Sequence, residues 1–374
     1  MDEVRAAEIF PPGEFIQEEL EERGWSQAEF ADILGLAPNI VNELISAKRA
    51  VTPKIAKAVG DAFGTGAQVW MNLESAYQLW KMRSNDDAVA RRARLYQLAP
   101  VKDLVRRNWI ETSDNVGVME KRVARFFDND NLDQPIHLFK HAARKSTTEP
   151  STAERAWLFR AKHLAASVHA KPFTTQAFKS GLEKLRALML STQETRHVPK
   201  ILSEMGVRFL VIEHLPHTKI DGVAFWLDEK TPVIALSMRF DRLDWFWYTL
   251  AHELGHIEKK HSYLLDSNLI GEGAAEHEKT QEEQEADAFA SQFLVDQKEL
   301  QHFILRVKPL YSKQKISGFA SRIKVHPGLV VGQLQFKKEI PWSSFRPLLE
   351  KVRNIVIQSA LTDGWGQLLP AHKA

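Results

Sequence analysis

The spacing of apolar residues changes near residue 197, and this change constrains the fold of the 374-residue chain more than any other feature. Before it, apolar residues recur at helical spacing between breaks made by proline and glycine. After it come three β-prone runs, Val207–Ile212, Gly222–Leu227 and Pro232–Leu236, the last two separated by a hairpin-like Asp228–Thr231. Helical spacing resumes near Asp241. The pattern predicts a mostly helical α+β protein, with a small antiparallel sheet behind an all-α region.

Composition excludes several classes of protein. The chain has no cysteine, which excludes disulfides, thiolate chemistry and every zinc site built on cysteine. No apolar run approaches the length needed to cross a bilayer, and the densest one, Leu243–Ala251, contains Asp244. The first residues lack the basic region and apolar core of a secretory signal. We therefore expect a cytoplasmic protein without a membrane partner.

Charge is distributed unevenly, although the net charge of +2 is too small to predict a polyanionic partner. Residues 1–66 contain six Lys/Arg and twelve Asp/Glu, whereas residues 81–125 contain eleven Lys/Arg and six Asp/Glu. Such segregation indicates separate modules. We predict four segments: a helix-turn-helix domain (1–80), a helical middle region (81–194), an α+β domain (195–340) and a helical C-terminal tail (341–374).

The sharpest chemical signal is His252-Glu-Leu-Gly-His256. Residues four apart on a helix lie one above the other, so both imidazoles can bind one ion, and this pattern favours zinc. Glu253 projects about 100° from His252, close enough to act as general base and then general acid. Neither histidine belongs to the apolar stripe of this helix, which disfavours a role in the core. Gly255 predicts close approach of another backbone.

A mononuclear catalytic zinc ion needs a third protein ligand, which in a chain without cysteine is His, Asp or Glu. The predicted helix Glu282–Leu294 carries a dense set of carboxylates. Its amphipathicity leaves Glu282, Glu285 and Asp287 open as candidates, whereas Glu283 is interpreted as solvated. Three further polar residues are weaker candidates to which we assign no catalytic role: His261, Tyr263 and His326.

The paired motifs His252-Glu-Leu-Gly-His256 and Glu285-Ala-Asp-Ala-Phe-Ala290 resemble those of the ImmA/IrrE metallopeptidases, over roughly residues 195–340. The resemblance implies a gluzincin-like fold in which Glu285 is the third ligand of Zn2+. It also implies peptide-bond hydrolysis, commonly of a transcriptional repressor, with an edge strand that aligns an extended substrate.

Residues 27–46 fit a helix-turn-helix. Ser26-Gln-Ala-Glu29 is a capping box that opens one helix, and Gly35 permits the turn that ends it. Ala31 is small where two helices would cross, and Pro38 suits the first turn of the next helix. The spacing therefore predicts a compact helical module whose core includes leucine, valine and phenylalanine side chains.

This module resembles the XRE/Cro class, and Ala47-Lys-Arg-Ala-Val-Thr-Pro53 is similar to the HigA-type antitoxins, over roughly residues 8–80. The resemblance implies binding to double-stranded promoter DNA, usually as a homodimer, with the Pro38–Ser46 helix in the major groove. The positions expected to face base edges are Asn39 and Asn42, and those expected to hold phosphate are Lys48, Arg49 and Lys54.

The acidic residues of this module disfavour tight binding to DNA. Glu43 lies on the recognition helix, and five glutamates between positions 14 and 22 must point away from DNA or meet a basic protein. Because phosphate neutralisation supplies most of the binding, we expect weak or conditional affinity. A basic stretch at residues 91–107 either adds to DNA binding or forms a solvated face.

We therefore predict a DNA-binding transcriptional regulator fused to a zinc-dependent metallopeptidase that cleaves a repressor, a partner protein or itself. The alternative is a HigA-like antitoxin that binds DNA and a basic toxin, with a zinc domain that senses without hydrolysis. In the metallopeptidase hypothesis, Glu253 is the catalytic residue, and the zinc ligands are His252, His256 and Glu285.

Overall fold

The computed structural model describes residues 9–82, 87–136, 150–261, 264–267 and 280–369. The chain divides into two compact units with the boundary between Ala90 and Arg91. Among the residues described, no helix is both long and apolar enough to cross a membrane.

The first unit is a bundle of helices. Its elements are α1 (Pro12–Arg23), α2 (Gln27–Leu34), α3 (Pro38–Ile45), α4 (Pro53–Phe63) and α5 (Ala67–Lys81).

Local sequence signals explain where α2 and α3 begin and end. The Ser26 hydroxyl accepts from the Glu29 amide and the Glu29 carboxylate accepts from the Ser26 amide, which completes the predicted capping box. Gly35 ends α2 with φ 65°, a left-handed conformation that glycine adopts without steric cost. Pro38 occupies the first turn of α3, where its missing N–H costs nothing.

Apolar side chains from several helices form the core of this unit. Phe30, Ala31 and Val41 are fully buried, and the ring of Phe30 stacks on Phe63 with centroids 4.9 Å apart. The helix-turn-helix arrangement predicted for residues 27–46 is confirmed.

The second unit combines helices with one sheet. Its helices before the sheet are α6 (Ala88–Leu98, which crosses the boundary), α7 (Val101–Arg106), α8 (Val116–Phe126), α9 (Thr152–Ser167), α10 (Thr175–Leu188) and α11 (Val198–Met205). The strands are β1 (Arg208–Ile212), β2 (Ile220–Trp226), β3 (Pro232–Leu236), β4 (Leu264–Ser267) and β5 (Leu361–Asp363). The remaining helices are α12 (Leu243–Lys259), α13 (Gln281–Leu294), α14 (Gln297–Val307), α15 (Lys313–Ile323), α16 (Pro327–Phe336) and α17 (Arg353–Val356).

The sheet has the strand order β4-β2-β3-β1-β5 in the described part of the chain. β2 is antiparallel to both β3 and β4, and the predicted hairpin between β2 and β3 is confirmed. β1, however, is parallel to β3 and to β5. The prediction of a small antiparallel sheet is therefore correct for β2 with β3 and wrong for β1, whose direction the apolar pattern alone does not specify.

Both faces of the sheet are covered. Successive residues of a strand point to opposite faces, so Val211 packs with α12 while Leu210 packs with the opposite core. That opposite core includes Trp157 and Phe159 of α9 and Leu104 of α7. Residues of the predicted middle region thus cover one face of the sheet and share its unit.

The C-terminal tail differs from the prediction of a helical segment. It contributes α17 and then β5, whose residues Leu361 to Asp363 pair with Leu210 to Ile212. The tail thus adds a second parallel neighbour to β1, on the side opposite β3.

A buried ion pair ties α9 to β5. The Arg160 guanidinium lies 2.6 Å from the Asp363 carboxylate, with the two side chains 1% and 0% exposed. The indole Nε1 of Trp109 donates to the same carboxylate at 2.8 Å. Because this carboxylate has several donors, its charge is compensated inside the unit.

We expect Asp363→Ala to lower the free energy of unfolding by about 3–5 kcal/mol, because the buried Arg160 guanidinium and the Trp109 indole would lose the carboxylate that they share. Urea denaturation followed by far-UV circular dichroism measures this. Asp133→Ala is the matched control, since its pair with Arg94 is exposed and contributes less than about 1 kcal/mol. Equal effects of both substitutions would contradict a structural role for the buried pair.

Candidate functional site

The two motif histidines lie in the C-terminal half of α12, on a buried part of the helix. His252 and His256 are 0% and 2% exposed, and their Nε2 atoms are 3.0 Å apart. The one-turn spacing therefore makes both rings converge, as predicted from the sequence.

A carboxylate from α13 lies beside the two imidazoles, and it belongs to Glu283. Its carboxylate oxygens lie 3.3 Å from His252 Nε2 and 3.8 Å from His256 Nε2. Ligand atoms arranged tetrahedrally around zinc at the usual bond lengths are about 3.4 Å apart. Separations of 3.0, 3.3 and 3.8 Å between these three residues fit that geometry. Two imidazoles and a carboxylate are also the donor chemistry that zinc accepts.

Glu285, the expected third ligand, points elsewhere. Its carboxylate lies 3.4 Å from His261 Nε2, and its side chain is 38% exposed. A hydrogen bond from Gln281 and the interaction with His261 hold the pKa of Glu285 below its usual range. The structure therefore places Glu283, and not Glu285, beside the histidine pair. Residues two apart on a helix lie about 200° apart, so these two carboxylates cannot reach the same ion.

Close packing of α12 and α13 brings the ligands together. A Cβ atom on Gly255 would lie 3.1 Å from Cα of Ala286 and 3.3 Å from Cβ of Phe289. The predicted close approach at Gly255 is thus present, and the approaching backbone is that of α13. This packing places Glu283, which lies one turn before Ala286, beside the histidine pair.

Carboxylate and imidazole groups outside the ligand set orient both histidines. Asp287 Oδ1 lies 3.0 Å from His252 Nδ1 and accepts a hydrogen bond from the Tyr248 hydroxyl at 2.8 Å. His256 Nδ1 lies 2.9 Å from Nδ1 of His261, which in turn contacts Glu285. Such outer hydrogen bonds fix the tautomer in which Nε2 is available to a metal.

Glu253 is fully buried between α12 and β2. A Cβ atom on Gly222 would lie 2.3 Å from Glu253 Oε1, so the glycine leaves the space that this carboxylate occupies. The pairing of β2 with β4 is irregular between Ile220 and Gly222, as at a β-bulge. β2 therefore approaches the site without a side chain at this point.

Sequence reasoning missed Glu283 as a ligand and Gly222 as a contact of Glu253. One signal was available: Glu283 and Asp287 are one helical turn apart, as His252 and His256 are, so both carboxylates can face the same pair. Of the three weaker candidates, His261 contacts the pair through His256. His326 caps α16 and accepts from the Gly328 amide at 3.1 Å, and Tyr263 lies outside the described residues.

The residues predicted to contact DNA all lie on the surface of the first unit. Asn39, Lys48 and Lys54 are exposed. Asn42 is also exposed, and its amide donates to Gln27 Oε1 at 3.4 Å. Arg49 is bound to Glu43 of α3, with Nε 2.6 Å from the carboxylate. One of the expected phosphate contacts is therefore already neutralised within the unit.

The glutamates of α1 and the arginines of the basic stretch at residues 91–107 differ in exposure and in charge pairing. The glutamates of α1 are mainly exposed, as the sequence requires for a helix that packs through Ile16 and Leu20. In the basic stretch of the second unit, Arg94 pairs with Asp133 and Arg106 pairs with Asp103. Those arginines are occupied by internal carboxylates, which favours the solvated-face interpretation.

Comparison with known proteins gives two family matches. Residues 16–70 match the family described as Helix-turn-helix, and residues 203–331 match the IrrE N-terminal-like domain. Each covers less than half of the chain. The second range contains the whole of α12 and α13, and therefore His252, His256 and Glu283.

Individual relatives match about a fifth of this chain. The uncharacterized HTH-type transcriptional regulator YddM of Escherichia coli (strain K12) is 37% identical over 84 residues, which is 22% of this chain and 88% of that protein. Virulence-associated protein I of Dichelobacter nodosus is 37% identical over 76 residues, 20% of this chain and 69% of that protein. The structure of Pseudomonas aeruginosa antitoxin HigA with the higBA promoter shares 35% identity over 20% of this chain and 82% of that one, with a TM-score of 0.20.

We expect Glu283→Gln to reduce zinc affinity far more than Glu285→Gln does. The first change removes a carboxylate beside both histidines, whereas the second alters an outer contact of the kind worth about 10–100-fold in metal affinity. Competition with a chromogenic zinc chelator measures both constants. The reverse order would contradict the assignment and return Glu285 to the ligand set.

Proposed function

The chain belongs to the helix-turn-helix family of DNA-binding regulators and carries an IrrE N-terminal-like domain, and on this premise we propose that it is a zinc-dependent endopeptidase whose cleavage reaction serves transcriptional control. The observation that carries the enzymatic part is the convergence of His252, His256 and Glu283, with Glu253 buried one residue after the first histidine.

In this proposal the ligands of zinc are His252 Nε2, His256 Nε2 and a carboxylate oxygen of Glu283. When bound, zinc supplies Lewis-acid polarisation and lowers the pKa of water. Asp287 and His261 hold the two imidazoles in the orientation that metal binding requires. Three protein ligands are typical of a catalytic site that keeps one position open.

Glu253 moves the proton in peptide hydrolysis. Its carboxylate accepts a proton from the water that attacks the scissile carbonyl carbon. The same carboxyl group then donates that proton to the leaving amine as the C–N bond breaks, so the group returns to its initial state. Burial at the Gly222 backbone limits the positions that the carboxylate can occupy, which favours one productive geometry.

An extended peptide is the substrate that the sheet favours. β4 ends the strand order of the described sheet, and its neighbour β2 carries Gly222 against Glu253. A peptide that adds to an edge strand is held by main-chain hydrogen bonds, which makes recognition tolerant of sequence. The cleaved protein could thus be a partner or another copy of this chain.

The first unit would deliver the enzyme to operator DNA. Exposed Lys48 and Lys54 would bind phosphate, and Asn39 on α3 would face the bases. The Glu43–Arg49 pair opposes binding, because it places a carboxylate beside the recognition surface and occupies one cation. A homodimer would supply the second half-site that such domains read.

A second candidate function is an antitoxin-like repressor whose zinc domain is not hydrolytic. The exposed glutamates of α1 favour it, since they form a surface complementary to a basic protein. This reading needs the metal ligands but not the proton transfer by Glu253, so one substitution separates the two functions.

We expect Glu253→Gln to abolish cleavage, by at least about 100-fold, while zinc content stays near that of the unaltered chain. The substrate to test is the product of the neighbouring gene, incubated with and without a chelator and analysed by mass spectrometry. Glu258→Gln is the matched control, because Glu258 lies on the same helix but is exposed. Unchanged cleavage by Glu253→Gln would overturn the peptidase proposal.

We expect Glu43→Gln to tighten binding to the DNA upstream of the gene, because it frees Arg49 for a phosphate. The slope of log K against log salt concentration should steepen by about one unit. Fluorescence anisotropy at several salt concentrations measures both. Glu22→Gln, on α1, is the control, and an unchanged slope for Glu43→Gln would contradict the assignment of Arg49.

A further inference from the structure

A cavity of about 210 Å³ lies in the second unit, away from the metal ligands, between α6, α7 and α8. A cavity of roughly 150 Å³ is enough to bind benzene. The space is therefore large enough for a small organic molecule, and the functions proposed above do not use it.

The floor of this cavity is apolar and rigidly held. Leu95, Val101, Val116 and Met119 line it, and their exposed fractions are all 9% or less. Leu95, Val101 and Met119 belong to the core that also contains strand residues such as Val223. An apolar body placed on this floor would be removed from water, which favours binding.

The rim of the cavity is polar and basic. Arg92 and Lys102 line it from α6 and α7, together with the hydroxyl-bearing Thr112 and Ser113. Arg92 donates to the carbonyl oxygen of Asp114 at 3.1 Å, which holds its guanidinium across the cavity from α6 to the loop before α8. Cations and hydroxyls beside an apolar floor suit a ligand with one charged end.

Charge pairing distinguishes these two cations from their neighbours. The nearby arginines are bound by internal carboxylates: Arg91 by Glu120, Arg94 by Asp133, Arg106 by Asp103 and Arg122 by Glu111. In the described ranges, no carboxylate lies within ion-pair distance of Arg92 or Lys102. The positive charge at the rim is therefore available to an anion.

We propose that this cavity binds a small amphiphilic anion, namely a carboxylate attached to an aromatic or branched aliphatic body of about ten non-hydrogen atoms. The carboxylate lies between Arg92 and Lys102, and the body rests on Leu95, Val101 and Met119. Because its floor is part of the core beneath the sheet, the ligand stabilises the second unit.

The probe is 3-phenylpropionate added to the full-length chain, with 3-phenylpropanamide as the neutral analogue. We expect saturable binding of the carboxylate with a Kd of about 5 mM or tighter, and at least tenfold weaker binding of the amide. Isothermal titration calorimetry measures both, and the melting temperature should rise with the carboxylate alone. The Kd should also weaken as salt is added, because the rim is exposed.

Lys102→Gln and Arg92→Gln should each weaken carboxylate binding about tenfold. Both positions are exposed, so the variants should unfold at the temperature of the unaltered chain. Lys121→Gln is the matched control, since this exposed lysine of α8 does not line the cavity. Lack of saturation at 50 mM probe, equal binding of the amide, or an equal effect of Lys121→Gln would each overturn the proposal.

Discussion

Close contact between α12 and α13 at Gly255 is the constraint on which the candidate metal centre depends. With any larger residue at this position, a Cβ atom would meet the Ala286 backbone and the Phe289 side chain at little more than 3 Å. The facing backbone of α13 would have to give way by a few tenths of an ångström, in the helix that carries Glu283. The centre is thus assembled by helix packing, and its ligands come from two segments about thirty residues apart.

Hydrogen bonds around this crossing give the ligands their direction. Asp287 and Tyr248 fix His252 from one side, and His261 with Glu285 fixes His256 from the other. Every carboxylate in this set lies on α13, whereas Tyr248 and His261 belong to α12 and the residues that follow it. Zinc affinity and the orientation of the imidazoles are therefore expected to depend on the same packing.

The sheet beneath α12 links the site to the rest of the second unit. One face packs with α12, and the other packs with α7 and α9 from the region between the family matches. The Arg160–Asp363 pair and β5 tie the end of the chain to this arrangement. The middle region is accordingly part of the scaffold that supports the site, and its cavity between α6, α7 and α8 lies in the same unit.

Local patterns determined the helices of the first unit, the β2–β3 hairpin and the histidine pair. Each of these depends on residues within a few positions of one another: the Ser26–Glu29 box, the Asp228–Thr231 loop, and imidazoles one turn apart. Tertiary structure alone decided the parallel pairing of β1 with β3 and β5, and the choice of Glu283 over Glu285. The one-turn spacing of Glu283 and Asp287 is compatible with the observed site, but the carboxylates of this helix are close together in sequence, and the packing of α13 against α12 determines which of them faces the histidines. That packing joins segments about thirty residues apart, so the local sequence does not fix it.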